Sequence, residues 1–217
     1  GVIGDLALYM FTVLLVLAIH ALGVYPLLLK GFSGLNPMIF LRKMRNTQLF
    51  AFSTASSSAT IPVTLRAVEQ RLGVSNRIAS FTVPLGATIN MDGTAIMQGV
   101  ATVFIAQAFG LELGLTDYLL VIATATLASV GTAGVPGVGL VTLAMVLQQV
   151  GLPVEGIALI IGVDRLLDMV RTAVNVTGDA TVSCIVASSE DAMDKTIFND
   201  RNAGIQDSHA SKVETQV

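Results

Sequence analysis

Charged residues are scarce in this chain of 217 residues: they make up 12% of it, against about 25% in soluble domains. Hydrophobic residues make up 53% and the mean hydropathy is +0.75, which indicates a membrane protein. The single cysteine, Cys184, excludes an internal disulfide and a cysteine-based zinc site. Only two histidines, His20 and His209, argue against transition-metal chemistry. A net charge of −3 without a basic run argues against a nucleic-acid partner.

The chain begins at Gly1 rather than at a methionine and enters an apolar stretch almost at once. We therefore expect it to be part of a longer protein, and no signal peptide is indicated. Residues 5–30 predict a membrane span, because about 20 uncharged, apolar residues suffice to cross a bilayer. Lys30, Arg42 and Lys43 follow this span, so the positive-inside rule predicts that its C-terminal end is cytoplasmic.

The next uncharged segment, residues 46–65, is rich in Ser and Thr, contains Pro62 and is flanked by basic residues on both sides. Positive flanks predict that both ends lie on the cytoplasmic face. A segment that enters and leaves by one face is a re-entrant hairpin, which we predict at residues 36–72 with its tip at residues 55–62. Such a tip is stable at membrane depth only where protein or water surrounds it.

The remainder of the chain repeats this order. Residues 76–110 are long enough to span a membrane but are interrupted by the motif NMDGTA, and residues 117–150 predict a second hairpin around GTAGVPG. A last span is predicted at residues 153–189, followed by a cytoplasmic polar tail, residues 191–217, that we expect to be disordered. The predicted fold class is an all-α membrane protein with two re-entrant helical hairpins and discontinuous helices in an inverted repeat. Such a repeat with Gly/Pro-interrupted segments indicates a secondary transporter.

The last predicted span carries charges that lipid would reject at about 2.5–3.5 kcal/mol each. At 3.6 residues per turn they fall on one stripe of the helix, which must therefore face protein or water. The stripe consists of Asp164, Asp168, Arg171, Thr172, Asn175 and Asp179.

An ion pair between Asp168 and Arg171 would leave the stripe with surplus negative charge, because Arg165 points away from it. We therefore favour bound cations over a purely internal ion-pair network. Asn175 and Asp179 offer hard oxygen ligands that suit Na⁺. The planar guanidinium of Arg171 suits a carboxylate.

Three further motifs place polar groups at membrane depth. In NMDGTA, a helix break beside Asp92 would expose carbonyl groups to a cation, although a simple kink is the plainer alternative. In SSSAT (residues 56–60), hydroxyl and N–H groups at a half-helix N-terminus would bind an anion, or would only pack helices together. In GTAGVPG (residues 131–137), the glycines would serve a mobile lid or an ordinary loop.

The motifs SSSATIPVT, GATINMDGTA, ASVGTAGVPG and DRLLDMVRTAVNVTGDA occur in an order and spacing that resemble the dicarboxylate/amino acid:cation symporter family, the glutamate transporter fold. The resemblance covers residues 1–190 and implies the C-terminal transport core of such a protein, without the N-terminal scaffold through which members form homotrimers. It implies a multi-pass protein of the cell membrane, not an enzyme, whose partners are an acidic amino acid and the lipid bilayer. The implied activity is Na⁺-coupled uptake of L-aspartate or L-glutamate by alternating access.

The resemblance also implies the roles of individual residues. Arg171, with Thr94, would hold the side-chain carboxylate of the substrate, and Asp168 would take its amino group near Thr172. The α-carboxylate would bind Asn175 and the backbone of Ser56, Ser57 and Ser58. The second hairpin would close over the substrate through Val135 and Gly137.

Three Na⁺ sites are implied in the same way. The first would use Asp179 with carbonyl groups of Gly86, Asn90 and Asn175. The second would use carbonyl groups of Thr88, Ser129, Val130 and Thr132. The third would use Asn90 and Asp92, completed by an earlier span that this chain lacks.

The chain departs from the family pattern at two positions. Many relatives carry an additional Arg where Ala55 or Met169 stands here. Without it, the negative charge of Asp168 is less compensated in this chain. A proton-coupled carrier of C4-dicarboxylates or glutamate is the alternative function, but such relatives tend to have Asn in place of Asp179. An aspartyl protease with a dyad that includes Asp92, a serine hydrolase and an acidic pore are further alternatives from other classes, and the motifs fit each of them less well.

Overall fold

The computed structural model describes residues 2–205, and these residues are helical without a β-strand. The all-α part of the prediction is therefore confirmed. The α-helices of the described part of the chain are α1 (Val2–Ile19), α2 (Tyr25–Ser33), α3 (Pro37–Thr54), α4 (Ser57–Arg66), α5 (Asn76–Ile89), α6 (Asp92–Ala108), α7 (Leu115–Ser129), α8 (Val138–Gln149), α9 (Ile161–Ser189) and α10 (Lys195–Asn199). Short π-helices at His20–Val24 and Ala67–Arg71 and a 3-10 helix at Val154–Leu159 complete the set.

Helices α1 and α2 continue into one another through the π-helix His20–Val24. Together they contain the continuous helical stretch Ile3–Ser33, of 31 residues. Within residues 2–205 this is the one helix long and apolar enough to cross a membrane, by length and composition alone. Large apolar side chains such as Leu8, Phe11 and Leu27 project from it and are exposed.

Helices α3 and α4 pack against each other and meet at a short turn. Asn36 starts α3, since its side-chain oxygen accepts a hydrogen bond of 2.9 Å from Met38 N. Ala55 ends α3 in the left-handed conformation, with φ 49°. Ser56 then caps α4, because its Oγ accepts a hydrogen bond of 3.1 Å from Ala59 N. The chain therefore turns at SSSAT.

Helices α5 and α6 are separated by two residues, Asn90 and Met91, whose backbone angles are not helical. This interruption lies within NMDGTA, where the sequence predicts a break. Helices α7 and α8 form a second packed pair, and the stretch between them ends at Gly137 with φ 79°. Glycine adopts this left-handed conformation without the steric cost that a side chain would add.

Helix α9 is the centre of the fold and contacts α1, α2, α3, α4, α5 and α6. Its first half contributes Leu167 and Val174 to an apolar cluster with α1, α6, α7 and α8. Its second half contributes Ala180 and Cys184 to another apolar cluster with α2, α3 and α5. Because neighbours enclose α9 along its length, its polar stripe is shielded from the surroundings.

The segment after α9 differs from the expectation of a disordered tail. Residues 191–205 pack against the fold: Met193 forms an isolated β-bridge with Val74, and Asp194 N donates to Gly73 O at 2.7 Å. The buried ammonium group of Lys43 donates to the carbonyl groups of Arg71 and Ile197, at 2.5 and 2.7 Å. These partners lie far apart in sequence, so composition alone could not reveal them. Residues 206–217, with His209, lie outside the described residues.

Candidate functional site

The polar stripe of α9 is buried, and Arg171 is at its centre with a side chain only 1% exposed. Its Nη1 donates to Oδ1 of Asp164 at 2.6 Å, and its Nη2 donates to Oδ1 of Asp168 at 3.1 Å. Within residues 2–205, Nε of Arg171 has no hydrogen-bond partner. One guanidinium therefore pairs with two carboxylates, which leaves these three side chains with one negative charge in excess.

Arg171 thus pairs with Asp164 as well as with Asp168, whereas the sequence pattern pairs it with Asp168 alone; the preference for bound cations on this stripe stays a prediction. Asp164 belongs to the site, and it compensates Arg171 from two turns away. Long side chains on a helix point towards its N-terminus, so Arg171 extends back along α9 towards both acids. The i,i+7 spacing on one stripe was the signal in the sequence. Asp179 takes no part in this pairing.

The second helix pair meets the stripe at Asp168. Oδ2 of Asp168 accepts a hydrogen bond of 2.9 Å from Gly137 N, at the start of α8. The hydroxyl of Thr172 donates to the carbonyl of Asp168 at 2.8 Å, so Thr172 is tied to its own helix. Val135 and Gly137 are exposed, which leaves this end of the pair accessible.

The turns of the two helix pairs contact each other. Ser56 Oγ donates to the carbonyl of Gly134 at 2.6 Å, and Ser58 N donates to the same oxygen at 3.1 Å. A Cβ atom on Gly134 would lie 2.8 Å from Ser58 Oγ and 3.0 Å from the carbonyl of Ala87. Only glycine allows this close approach. Ser57 is buried beside the contact.

Four of the residues assigned to the first cation site form one cluster. Asn90 Nδ2 donates to Oδ1 of Asp179 at 3.0 Å and to the carbonyl of Asn175 at 3.1 Å. The carbonyl of Gly86 accepts from Asn90 N at 2.8 Å, and a Cβ atom on Gly86 would touch the Asp179 carboxylate. The helix break thus brings three oxygen groups together around Asn90, two on its side-chain amide and one on its backbone N–H.

The same break connects to the stripe through Asn175. Its Oδ1 accepts a hydrogen bond of 2.7 Å from Gly93 N, and its Nδ2 donates to Met91 Sδ at 3.3 Å. Thr94 is buried one residue further on. A Cβ atom on Gly139 of α8 would lie 3.4 Å from Thr94 Cγ2 and 3.3 Å from Arg171 Nη2. Thr94, Arg171 and α8 therefore meet at one place.

Asp92 belongs to a separate cluster beside the first span. Its Oδ2 lies 3.0 Å from His20 Nε2 and accepts a hydrogen bond of 3.0 Å from the Tyr25 hydroxyl. Neither residue is among the site residues that the sequence predicts. No local pattern could link them to Asp92, because 72 and 67 residues separate the partners.

The residues assigned to the second cation site lie where α5 meets the second helix pair. The carbonyl of Thr88 accepts from Gly131 N at 2.8 Å, and that of Ser129 accepts from Thr132 N at 3.3 Å. Ser129 and Thr132 are buried, whereas Thr88 and Val130 are exposed. Residues 2–205 hold no cluster of three or more His, Cys, Asp or Glu side chains suited to a metal. Any cation bound by them would rely on carbonyl and amide oxygens as well, as hard cations do.

Buried charges on a helix, interrupted helices that present backbone oxygens, and an apolar outer surface are characteristic of a membrane transport protein. Comparison with known proteins identifies the family. The family model described as the sodium:dicarboxylate symporter family matches residues 1–189, and the chain belongs to this family. Its members are transporters, so the predictions of a transport protein and of no enzymatic activity are confirmed.

Curated relatives agree with this assignment. The chain is 50% identical over 181 residues to an excitatory amino acid transporter of Caenorhabditis elegans, covering 83% of this chain and 36% of that protein. It is 53% identical over 181 residues to excitatory amino acid transporter 3 of Mus musculus (83% and 35%). It is 46% identical over 187 residues to excitatory amino acid transporter 1 of Homo sapiens (86% and 34%). The chain thus spans about a third of the length of these relatives.

Proposed function

We propose that the full-length protein containing this chain is a secondary active symporter that takes up L-aspartate or L-glutamate together with Na⁺. The observation that carries this proposal is Arg171, a buried guanidinium with an unused Nε donor. It lies where the second helix pair and the break between α5 and α6 converge. A fixed cation with a free donor in a shielded site is suited to a carboxylate.

The substrate contacts follow from this position. Arg171 and Thr94 hold the side-chain carboxylate of the substrate, and Asp168 takes its amino group with Thr172 alongside. Asn175 and the backbone of Ser56, Ser57 and Ser58 bind the α-carboxylate. The hydrogen bond from Gly137 N to Asp168 supports a closing role for Val135 and Gly137, because it joins the second helix pair to the substrate-binding stripe.

Na⁺ is the second cargo. The first Na⁺ uses Asp179 with carbonyl groups of Gly86, Asn90 and Asn175, and the hydrogen bonds of Asn90 to Asp179, Asn175 and Gly86 support this grouping. The second uses carbonyl groups of Thr88, Ser129, Val130 and Thr132. The third uses Asn90 and Asp92. Hard oxygen ligands of this kind suit an alkali cation better than a transition metal.

The mechanism of transport is alternating access, in which the binding site opens to one side of the membrane at a time. Residues 1–190 act as a transport core that moves against a scaffold. The rest of the protein supplies this scaffold, and the scaffold forms the homotrimer. The pairs α3–α4 and α7–α8 are re-entrant hairpins that enter from opposite faces in an inverted repeat. The flanks of the first hairpin and the C-terminus lie on the cytoplasmic side of the cell membrane. Contact between the two turns at Gly134 supports this view, since both hairpin tips would meet at the substrate.

The test is uptake of radiolabelled L-glutamate and L-aspartate by the full-length protein in proteoliposomes. Replacement of external Na⁺ by choline should abolish uptake of both. Equal uptake in choline would refute Na⁺ coupling. Uptake driven by a pH gradient and inhibited by succinate would favour a proton-coupled dicarboxylate carrier instead.

A further inference from the structure

Asp92 at the start of α6 is held asymmetrically. His20 Nε2 and the Tyr25 hydroxyl both contact its Oδ2, each at 3.0 Å. Within residues 2–205, no hydrogen bond to Oδ1 is present, and the side chain of Asp92 is 37% exposed. One oxygen of the carboxylate is therefore fixed by the protein, and the other is available to a ligand.

The π-helix at His20–Val24 is what allows two side chains of one span to contact the same oxygen. In a regular α-helix, residues five apart point in directions about 140° apart. Here Tyr25 N donates to the carbonyl of His20, the i→i+5 bond of a π-helix. This local widening brings the two rings to the same side, with centroids 4.5 Å apart in an edge-on arrangement.

Helix α9 fixes the other side of Tyr25. A Cβ atom on Gly178 would clash with the Tyr25 hydroxyl and with Nδ2 of Asn90. Gly178 therefore lets Tyr25 lie against α9 next to Asn90, whose amide also contacts Asp179. The Tyr25 hydroxyl is enclosed between Asp92 and α9, which restricts the rotamers that it can adopt.

We propose that Tyr25 and His20 are positioning residues that orient Asp92 so that Oδ1 faces a bound Na⁺. This inference rests on the proposed function, in which Asp92 is a cation ligand, and extends it to two residues of the first span. The resemblance implies that residues of a span absent from this chain complete the site. The Tyr25 hydroxyl and His20 Nε2 add contacts from within the chain that hold the ligating carboxylate.

The physical effect is a restriction of the carboxylate. Two donors on Oδ2 hold the carboxylate plane in one orientation, so the ion does not have to fix it on binding. Hydrogen-bonding partners of a metal ligand commonly contribute about 10- to 100-fold to metal affinity when they are intact. Loss of one donor should therefore weaken Na⁺ binding while the transport step itself is unaffected.

The experiment measures the Na⁺ half-saturation of glutamate uptake and the maximal rate in proteoliposomes of the full-length protein. Tyr25→Phe should raise the half-saturation about 10-fold and change the maximal rate at saturating Na⁺ less than about twofold. His20→Leu should act in the same direction. His20→Gln should retain more affinity, because its amide can still donate to the carboxylate.

Tyr9→Phe is the matched control. Tyr9 lies on the same span and is equally buried, but within residues 2–205 its hydroxyl has no hydrogen-bond partner. The Tyr9→Phe variant should keep the Na⁺ half-saturation of the unaltered protein. An equal rise in half-saturation for Tyr9→Phe and Tyr25→Phe would overturn the proposal, since the effect would not come from Asp92.

A second measurement does not depend on transport. Na⁺ that binds the folded protein raises its melting temperature, so a titration of this temperature in detergent reports affinity directly. In Tyr25→Phe, the rise in melting temperature should require higher Na⁺ concentrations than in the unaltered protein. If the unaltered protein responds to Na⁺ and Tyr25→Phe responds identically, the positioning role is refuted and symport stands. If the unaltered protein responds to Na⁺ neither here nor in uptake, the proposed function itself fails.

Discussion

Asp164 lies two helical turns before Arg171 on α9, and its carboxylate accepts a hydrogen bond of 2.6 Å from the guanidinium of that arginine. The side chains are 4% and 1% exposed. Arg171 therefore has a counter-ion on its own helix. Its charge is not left bare inside the fold, which would be expensive for a buried cation.

Arg171→Cys should remove selectivity for acidic substrates. Without the guanidinium, the side-chain carboxylate of glutamate loses a charge-assisted partner, which corresponds to about 10- to 100-fold weaker binding. Transport of neutral amino acids such as alanine or serine should persist. Competition assays in proteoliposomes measure both, and unchanged glutamate affinity would contradict the role given to Arg171.

Arg165→Cys provides the matched control for that experiment. Arg165 lies on the same helix but is exposed and points away from the stripe. Its replacement removes the same charge and introduces the same thiol, and glutamate uptake should be retained.

Asp164→Asn should destabilise the folded protein. The amide keeps the shape of the carboxylate but replaces the charge-assisted hydrogen bond to Arg171 with a weaker one, while Asp168 still balances the charge of Arg171. The expected cost is that of a lost hydrogen bond between charged groups, about 1.5–3 kcal/mol. Thermal unfolding in detergent measures it. Glu112→Gln, at an exposed loop position, should leave the melting temperature unchanged; an equal fall in both variants would contradict the internal pairing.

Gly178→Ala should destabilise the contact between α9, Tyr25 and Asn90. An added methyl group would clash with both side chains, and overpacking of this kind costs about 1–3 kcal/mol. Gly162→Ala is the control on the same helix, because a Cβ atom there meets nothing within 4 Å. Thermal unfolding should give a lower melting temperature for Gly178→Ala than for Gly162→Ala. Equal melting temperatures would show that the neighbouring side chains move to accept the methyl group.

Lys43→Met should release α10 from the fold. The methionine keeps the apolar length of the side chain, but the carbonyl groups of Arg71 and Ile197 lose their donor, at a cost of about 1–3 kcal/mol for each buried group left unpaired. Lys43 also lies 5.9 Å above the ring of Phe198. Amide hydrogen exchange of residues 195–199 should become faster, whereas Arg45→Met, at an exposed position of α3, should leave it unchanged.

The N-terminal cap of α10 should weaken in acid. Hydrogen bonds from the backbone N–H groups of Ile197 and Thr196 lower the pKa of Asp194. A lowered folded-state pKa means that the cap stabilises α10 above the unfolded value of about 3.9. This contribution is lost as the pH falls through the lowered pKa. Hydrogen exchange of α10, corrected for its intrinsic pH dependence, should show this loss. Asp194→Asn, which caps without titrating, should not.

The features that could be predicted from the sequence are those that depend on spacing and motifs within one segment. Asp164, Asp168 and Arg171 could be assigned to one face of a helix because 3.6 residues per turn brings them together. The break at Asn90 followed from a polar, glycine-containing motif inside an apolar segment. The turn at Ser56 followed from residues that cap helices and interrupt them.

The features that the sequence did not predict depend on contacts between distant segments. The distance between His20 and Asp92 is set by how the first span packs on α6, and no pattern within either segment encodes it. The order of residues 191–205 likewise depends on Lys43, on another helix. The partner of Asp164 was missed for a different reason: the direction of a long arginine side chain decides it, beyond the helical spacing alone.

The π-helix at His20–Val24 behaves as if one extra residue had been inserted into an ordinary helix. Deleting a single residue within it would close the wide turn to an ordinary α-helical turn, and the helices on either side would keep nearly the same phase. Deleting a residue elsewhere in α1 would instead rotate the part of the span before it by about 100° and turn its outward apolar face towards the fold. A deletion scan along the first span should therefore find a short stretch at positions 20–24 where folded protein is retained, next to positions in α1 where it is lost.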